Sequence, residues 1–291
     1  MLEKIRSKAI LKKIFINLKK RKELKILKYN KKLMFKLNIQ KKDFENYKIL
    51  KELNQKYSLN IKDIDVRCLR FEEKNNIEKI FEYINKIEFN ELIGLYINKT
   101  NLSDIKILER CKFENYLFLN LGDNKISNIN EFEKVNFKEL KQLILPNNNI
   151  TKIKVLENGK FEKLERLDLS HNKISDINVL EKVNFKELRD LYLRHNNIKN
   201  IKVLANCKFE KLKRLNLSNN KISNINILEK VNFNEIKELD LSGNKIRNIK
   251  VFENCKFEKL EILDLSHNKI SDINVLEKVN FKELKRFIFK A

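Results

Sequence analysis

Apolar side chains recur along this chain with a fixed spacing of 24 residues. Each unit begins at a phenylalanine, and the nine phenylalanines are Phe89, Phe113, Phe137, Phe161, Phe185, Phe209, Phe233, Phe257 and Phe281. Composition alone does not produce nine repetitions at one interval. The pattern therefore predicts one supersecondary unit that is copied end to end, which is a solenoid.

Each unit contains a short segment in which leucine alternates with other residues. With the phenylalanine counted as position 0, positions 6 and 8 form a leucine pair such as Leu167 and Leu169. A period of two predicts a strand that points both leucines inward and position 7 outward. Apolar residues at positions 13 and 16, such as Ile174 and Ile177, predict that the chain then returns along the opposite edge of the unit.

Polar residues mark the turns between these segments. A buried turn leaves backbone groups that no sheet satisfies, and an asparagine side chain offers both a donor and an acceptor. Aspartate or asparagine at position 15, such as Asp176, suits the cap of a short helical turn. Asparagine at position 11 predicts a structural ladder through the stack, made of Asn124, Asn148, Asn172, Asn196, Asn220, Asn244 and Asn268.

The pattern L-x-x-L-x-L-x-x-N-x-I-x-x-I resembles the leucine-rich repeat over roughly residues 66–291. It is similar to the short variety in protein-phosphatase regulatory subunits and bacterial internalins, lengthened by two residues. The resemblance implies an α/β solenoid, a horseshoe with a parallel sheet and protein binding on its concave face. The predicted divisions are a basic helical segment at 1–60, a junction with a degenerate first repeat at 61–88, and 24-residue repeats at 89–291.

A longer period of 48 residues, or two repeats, is superimposed on the 24-residue period. Positions 22 and 23 alternate between pairs such as Val183-Asn184 and Cys207-Lys208. We infer that the array grew by duplication of a two-repeat unit. The residues that all repeats share therefore reflect this duplication and the packing of the core. Function is therefore expected at positions where the copies differ.

Strand positions 5, 7 and 9 are expected to point to the concave face. Over these 27 positions five basic and five acidic residues balance, although the whole chain carries +23. A neutral face argues against nucleic acid there, because phosphate binding needs a positive stripe. Tyrosine, phenylalanine and arginine are frequent at protein interfaces. The predicted partner-binding residues are Tyr96, Phe118, Ile144, Arg166, Asp168, Asp190, Tyr192, Arg194, Glu238, Asp240 and Asp264.

No catalytic or metal-binding arrangement is recognisable in the sequence. The three histidines, His171, His195 and His267, all occupy position 10, and no third ligand accompanies the neighbouring pair. The chain has only 4 glycines and no phosphate-cradling loop. The sequence therefore predicts a non-catalytic protein without cofactor or metal.

Residues 1–60 lack the 24-residue period and hold 19 basic and 5 acidic residues. Their apolar spacing predicts about three helices. One interpretation is a cap over the first strand, whose edge would otherwise be unpaired. Residues 11–18, with Leu24 and Leu27, also resemble an F-box, which implies that residues 1–40 bind a Skp-family adaptor of a cullin ubiquitin ligase. A third interpretation is contact with nucleic acid or an acidic membrane surface.

Cysteine spacing bears on the compartment. Cys207 and Cys255 lie two repeats apart, or ~10 Å at one strand spacing per repeat, beyond the ~7 Å that a disulfide allows. Free thiols predict a cytoplasmic location, and residues 19–22 resemble a nuclear import signal, which leaves the nucleus as an alternative. No segment reaches the ~20 apolar residues of a membrane span.

The last strand, around Phe287, predicts an exposed edge and self-association.

Overall fold

The computed structural model describes residues 64–65, 68–72, 94–110, 116–279 and 281–290. All of them belong to the second of two units into which the chain divides, Leu59–Ala291. The helical, F-box-like and nuclear-import interpretations of residues 1–60 lie outside the described residues, as does Cys111.

One open sheet contains every described strand, in the order of the sequence. The nine strands of the 24-residue units run parallel, as a stack of copied units requires. The strands are β1 (Ile64–Asp65), β2 (Cys68–Glu72), β3 (Gly94–Asn98), β4 (Phe118–Asn120), β5 (Gln142–Ile144), β6 (Arg166–Asp168), β7 (Asp190–Tyr192), β8 (Arg214–Asn216), β9 (Glu238–Asp240), β10 (Ile262–Asp264) and β11 (Arg286–Ile288).

Neighbouring strands pair with a constant offset of one repeat. Leu143 on β5 lies opposite Leu167 on β6, and Leu167 lies opposite Leu191 on β7. Because side chains alternate along a strand, this register stacks all position-6 leucines in one buried column. The predicted solenoid with a parallel sheet is confirmed.

The start of the sheet differs from the later repeats. Strand β2 pairs parallel with β3, and Leu69 and Phe71 lie opposite Leu95 and Ile97. The backbone register thus gives Leu69 and Phe71 positions 6 and 8 of a preceding repeat. Strand β1 pairs antiparallel with β2, which the repeat pattern did not predict.

Short 3₁₀ helices, rather than α-helices, form the return segments of the described repeats. Before each helix except one, the position-15 oxygen accepts the N–H two residues later, as Asp176 Oδ1 does from Asn178 at 2.8 Å. The side chain therefore caps the helix from one residue before the N-cap, which is Ile177 in this repeat. The helices are Lys106–Arg110, Asn130–Glu133, Lys154–Glu157, Asn178–Glu181, Lys202–Asn206, Asn226–Glu229, Lys250–Glu253 and Asn274–Lys278.

Repeat phenylalanines stack behind the sheet from Phe137 to Phe209, and Phe257 contacts Phe281 further along the array. Phe137 stacks on Phe161 with ring centroids 5.4 Å apart, and Phe161 meets Phe185 edge to face at 6.1 Å. Such contacts add about 0.5–1.5 kcal/mol per pair beyond burial of area. The core thins at the last strand: Phe287 is 38% exposed, whereas Leu263, its counterpart on β10, is fully buried.

Candidate partner-binding surface

The strand backbone divides each repeat into a buried row and an accessible row. On β7, Leu191 is buried, whereas Asp190 and Tyr192 beside it are half-buried. The same alternation recurs on most strands from β4 to β10. Positions 5 and 7 therefore present side chains on the concave face, as predicted from the period of two.

An arginine and a tyrosine stack in the middle of this face. The Arg166 guanidinium carbon lies 4.6 Å from the centre of the Tyr192 ring, a cation–π contact. Arg166 also approaches Asp168, with Nη2 and Oδ2 3.6 Å apart. Burial raises the pKa of the Tyr192 hydroxyl. Arg166 Nε is covered and has no hydrogen-bond partner in the described region, so stacking holds this guanidinium more than hydrogen bonds do.

A line of ion pairs crosses three neighbouring strands. Arg214 on β8 donates to Asp190 on β7 at 2.8 Å and to Glu238 on β9 at 3.3 Å. The Asp190 carboxylate raises the pKa of the Arg214 guanidinium. Asp190 and Glu238, both predicted to contact a partner, are thus already paired with Arg214.

Position 7 also has a structural role that the sequence analysis missed. The Oδ1 atoms of Asp168, Asp240 and Asp264 accept the backbone N–H of the serine two residues later, at 2.9–3.0 Å. Asn120 Oδ1 accepts the N–H of Gly122 in the same way, and Asn216 Oδ1 accepts that of Ser218. The side chain closes the turn at the end of the strand. The recurrence of Asp and Asn at this position was the available signal.

The three predicted apolar contacts occupy the first part of the sheet without forming one row. Tyr96 and Ile144 stand at position 7 of β3 and β5, and Asn120 on β4 lies between them. Phe118 takes position 5 of β4. Arg194, at position 9 beyond Tyr192, is exposed and has no acidic side chain within ion-pair distance among the described residues.

The asparagine ladder has the predicted geometry. Asn196 Nδ2 donates to the carbonyl of Leu169 in the preceding repeat at 2.9 Å and to Leu193 in its own repeat at 3.1 Å, and Asn196 Oδ1 accepts the N–H of Ile174 at 2.9 Å. The other ladder asparagines repeat these bonds, and all but Asn268 are at most 8% exposed. At the start of the ladder, Thr100 donates its N–H and hydroxyl to Asn124.

Position 10 has a left-handed backbone in each of the eight described repeats that contain it. Gly243 has φ +63°, and His171 and His195 have φ 54° and 51°. Asparagine, aspartate, histidine and glycine tolerate this conformation better than most residues. The histidines therefore occupy turns, and the rings of His171 and His195 stack 4.3 Å apart. The described residues contain no group of three or more metal-ligating side chains.

Two cysteines of the described region carry free thiols. Cys207 is buried, whereas Cys255 is half-buried, so position 22 is less uniformly buried than predicted. The Cys207 and Cys255 thiols approach the carbonyls of Val203 and Val251. Burial raises the pKa of each thiol to about 12.

Comparisons with known proteins identify the repeat. A family model described as Leucine Rich repeats (2 copies) matches residues 138–182 and 234–278, and a second, described as Leucine rich repeat, matches residues 186–246. No curated protein matches the sequence.

Solved structures share the same solenoid. A leucine-rich-repeat protein of Leptospira interrogans is 22% identical with a TM-score of 0.55, and the alignment covers 77% of this chain and 61% of that one. PEPR1 in the PEPR1-AtPEP1 structure is 22% identical with a TM-score of 0.54, over 69% of this chain and 28% of that one. Internalin C2 of Listeria monocytogenes is 21% identical, with a TM-score of 0.47 and coverage of 77% and 81%. The chain thus spans less than two thirds of the first two proteins.

The fold is a repeat solenoid whose surfaces are built from copied strand-and-turn units. Residues 138–182 and 186–278 are leucine-rich repeats, as the matched models show, and the solved structures share the solenoid fold. No helix within the described ranges has the length and apolar character to cross a membrane.

Proposed function

We propose that this protein is a non-catalytic scaffold that binds a partner protein on its concave face. The observation that carries the proposal is the centre of that face, where Tyr192, stacked with Arg166, adjoins Arg194. Aromatic and arginine side chains supply much of the binding energy of protein interfaces. Arg194 has no acidic partner in the described part of the chain, so it has its full charge to offer an acidic group.

The ion pairs of the face favour a protein partner over a polyanion. Arg214 is neutralised by Asp190 and Glu238, and Arg166 lies beside Asp168. A partner with both charge signs can match this mixed surface, whereas a phosphate backbone meets acidic groups on three strands. Asp240 and Asp264 close their own turns and extend an acidic stretch away from Tyr192.

Repeat-to-repeat substitutions test the proposal without disturbing the fold. Two other repeats have asparagine at position 7 (Asn120 and Asn216), and four have serine at position 9. The double variant Tyr192→Asn with Arg194→Ser therefore introduces only residues that other repeats already carry at these positions. Lys202→Asn is the matched control, because it also removes one positive charge from an exposed site where other repeats carry asparagine.

The partner is first captured by nuclease-treated purification of the full chain and identified by mass spectrometry. Its affinity for each purified variant is then measured by calorimetry. Loss of two hot-spot side chains is expected to weaken binding by more than about tenfold, with no change for Lys202→Asn. Equal affinity for wild type and the double variant rules out the concave-face site.

The F-box-like interpretation remains an alternative that rests on the sequence of residues 1–40 alone. The same purification tests it, because recovery of a Skp-family adaptor together with a cullin supports a role in substrate delivery. A cytoplasmic location fits the free thiols of Cys207 and Cys255, and cell fractionation tests it against the nuclear alternative. Self-association through β11 stays a prediction for sedimentation at several concentrations.

A further inference from the structure

A second surface follows the strand ends, at the turns that span positions 10–17. In three successive repeats these turns are residues 195–202, 219–226 and 243–250, which together hold six basic residues and no acidic residue. The corresponding turns before and after them contain Asp176 and Asp272. These three successive turns therefore carry positive charge that no acidic residue within them balances, outside the concave face.

The repeat that begins at Phe233 departs from the copying pattern in this stretch. The 48-residue period predicts asparagine at position 12, but Lys245 stands there. Position 14 is serine or threonine in most repeats, and this one carries Arg247. Asparagine at position 12 of the equivalent repeats is found at Asn101, Asn149 and Asn197. Two positive charges have thus been added at one place in the array.

These substitutions line an open pocket of about 350 Å³. Lys245, Arg247 and Lys269 supply its charges, and we call it the basic pocket. The uncharged part of the lining consists of Ser223, Asn224, Ile225, Asn226 and Asn248. The three basic side chains are exposed, so a ligand has access to all of them.

The charges of the basic pocket are uncompensated. Elsewhere in the described region lysines pair with glutamates of the adjacent repeat, as Lys211 does with Glu187 at 2.6 Å. Within that region, none of Lys245, Arg247 and Lys269 has an acidic group within ion-pair distance. Three cations around one concavity repel each other, and an anion placed between them relieves that repulsion.

The neutral side chains of the pocket also present donors. Asn224 Oδ1 accepts the N–H of Asn226 at 2.9 Å, and Asn248 Oδ1 accepts that of Lys250 at 2.8 Å. Each carboxamide is thereby oriented with its NH₂ group available, and neither NH₂ has a partner among the described residues. With the Ser223 hydroxyl, the lining offers donors and positive charge to a bound group.

We infer that the basic pocket binds a compact anion that carries two or more phosphate groups. Arginine matches phosphate with a fork of parallel hydrogen bonds, and lysines add point charges. The volume lies near the lower end of about 300–1,000 Å³ for ligand pockets, which suits an oligophosphate or a small phosphorylated polyol. A polynucleotide fits less well, because the three turns contain no phenylalanine or tyrosine on which bases could stack.

The test uses the full chain and inorganic tripolyphosphate as the probe, with binding measured by calorimetry at physiological ionic strength. Lys245→Asn with Arg247→Ser returns both positions to residues that other repeats carry, so the fold is expected to survive. Lys173→Asn with Lys199→Ser is the control, because it removes two positive charges from the same repeat positions elsewhere. Lys269→Asn is a third, single-charge variant, and thermal melting checks that each variant is folded.

Wild type and the control are expected to bind tripolyphosphate equally. The pocket double variant should bind at least about tenfold more weakly, and Lys269→Asn should show a smaller loss. Absence of binding to wild type, or an equal loss in the pocket and control variants, overturns the proposal. A single-stranded oligonucleotide that binds wild type more tightly than tripolyphosphate, and depends on the same residues, also overturns it in favour of nucleic acid.

Discussion

The concave face and the basic pocket display charged side chains in opposite ways. At the centre of the concave face Arg214 lies between Asp190 and Glu238, and these three charges are matched one strand away. In the basic pocket Lys245 and Arg247 stand two residues apart in one repeat without an acidic partner among the described residues. One copied scaffold thus carries a group of charges that is matched within the fold and another whose charges remain for a ligand.

The largest effect on stability is expected from the asparagine ladder, which lies in the turns that follow the strands. Asn196→Ala leaves the buried N–H of Ile174 without its acceptor. The carbonyls of Leu169 and Leu193 each lose one of their two donors, because Asn172 and Asn220 still donate to them. We expect a loss of about 1–3 kcal/mol in the free energy of unfolding, measured by urea denaturation.

Asn197→Ala is the matched control for that prediction. The Asn197 carboxamide oxygen accepts a hydrogen bond from the exposed Lys221 ammonium on the turn surface. Removing this side chain is therefore expected to leave the free energy of unfolding nearly unchanged. If both alanine variants unfold at the same urea concentration as wild type, the ladder does not hold the repeats together.

The fold was predictable because it follows from spacing. One 24-residue interval fixes which residues stack, so Leu143, Leu167 and Leu191 had to fall opposite one another. The antiparallel pairing of β1 was not predictable, since Ile64 and Asp65 precede the periodic region. The half-burial of Cys255 was not predicted either, because the residues at position 22 alternate in size and their burial varies along the array.

The sites were less predictable because their chemistry depends on contacts between repeats. Alternation along the strands predicted the concave positions, yet it did not reveal that Asp168 and Asp240 close their own turns. The basic pocket was missed altogether, although the mismatch of Lys245 with the 48-residue period was visible. Only the structure shows Lys245, Arg247 and Lys269 around one cavity.

A direct comparison of the two surfaces uses one arginine from each. Arg214→Gln removes the two ion pairs that Arg214 makes on the concave face, and glutamine already occupies position 5 at Gln142. Because the Arg214 side chain is 46% exposed, solvent screening limits the expected loss of stability to about 0.5–1 kcal/mol, and added salt should reduce it further.

Arg247→Ser is expected to leave stability unchanged or slightly raised, since it removes repulsion and no ion pair. Urea denaturation at low and high salt measures both variants. A salt-independent loss for Arg214→Gln, or a loss for Arg247→Ser as large as that for Arg214→Gln, would show that the two surfaces do not differ in this way.

The smallest expected effect is the pH dependence of the stability that one ion-paired carboxylate, Glu261, contributes. Glu261 accepts hydrogen bonds from Lys237 and Lys285, which lower the pKa of its carboxyl from 4.5 to about 2. A carboxyl whose pKa is lower in the folded state stabilises the protein above pH 4.5, and that contribution disappears as the pH falls towards 2. The stability difference between wild type and Glu261→Gln should therefore be constant near neutral pH and shrink over that acidic range. Glu258→Gln, at an exposed glutamate without an ion pair in the described region, is the control. A Glu261→Gln difference that does not change with pH would mean that the two lysines do not stabilise the carboxylate.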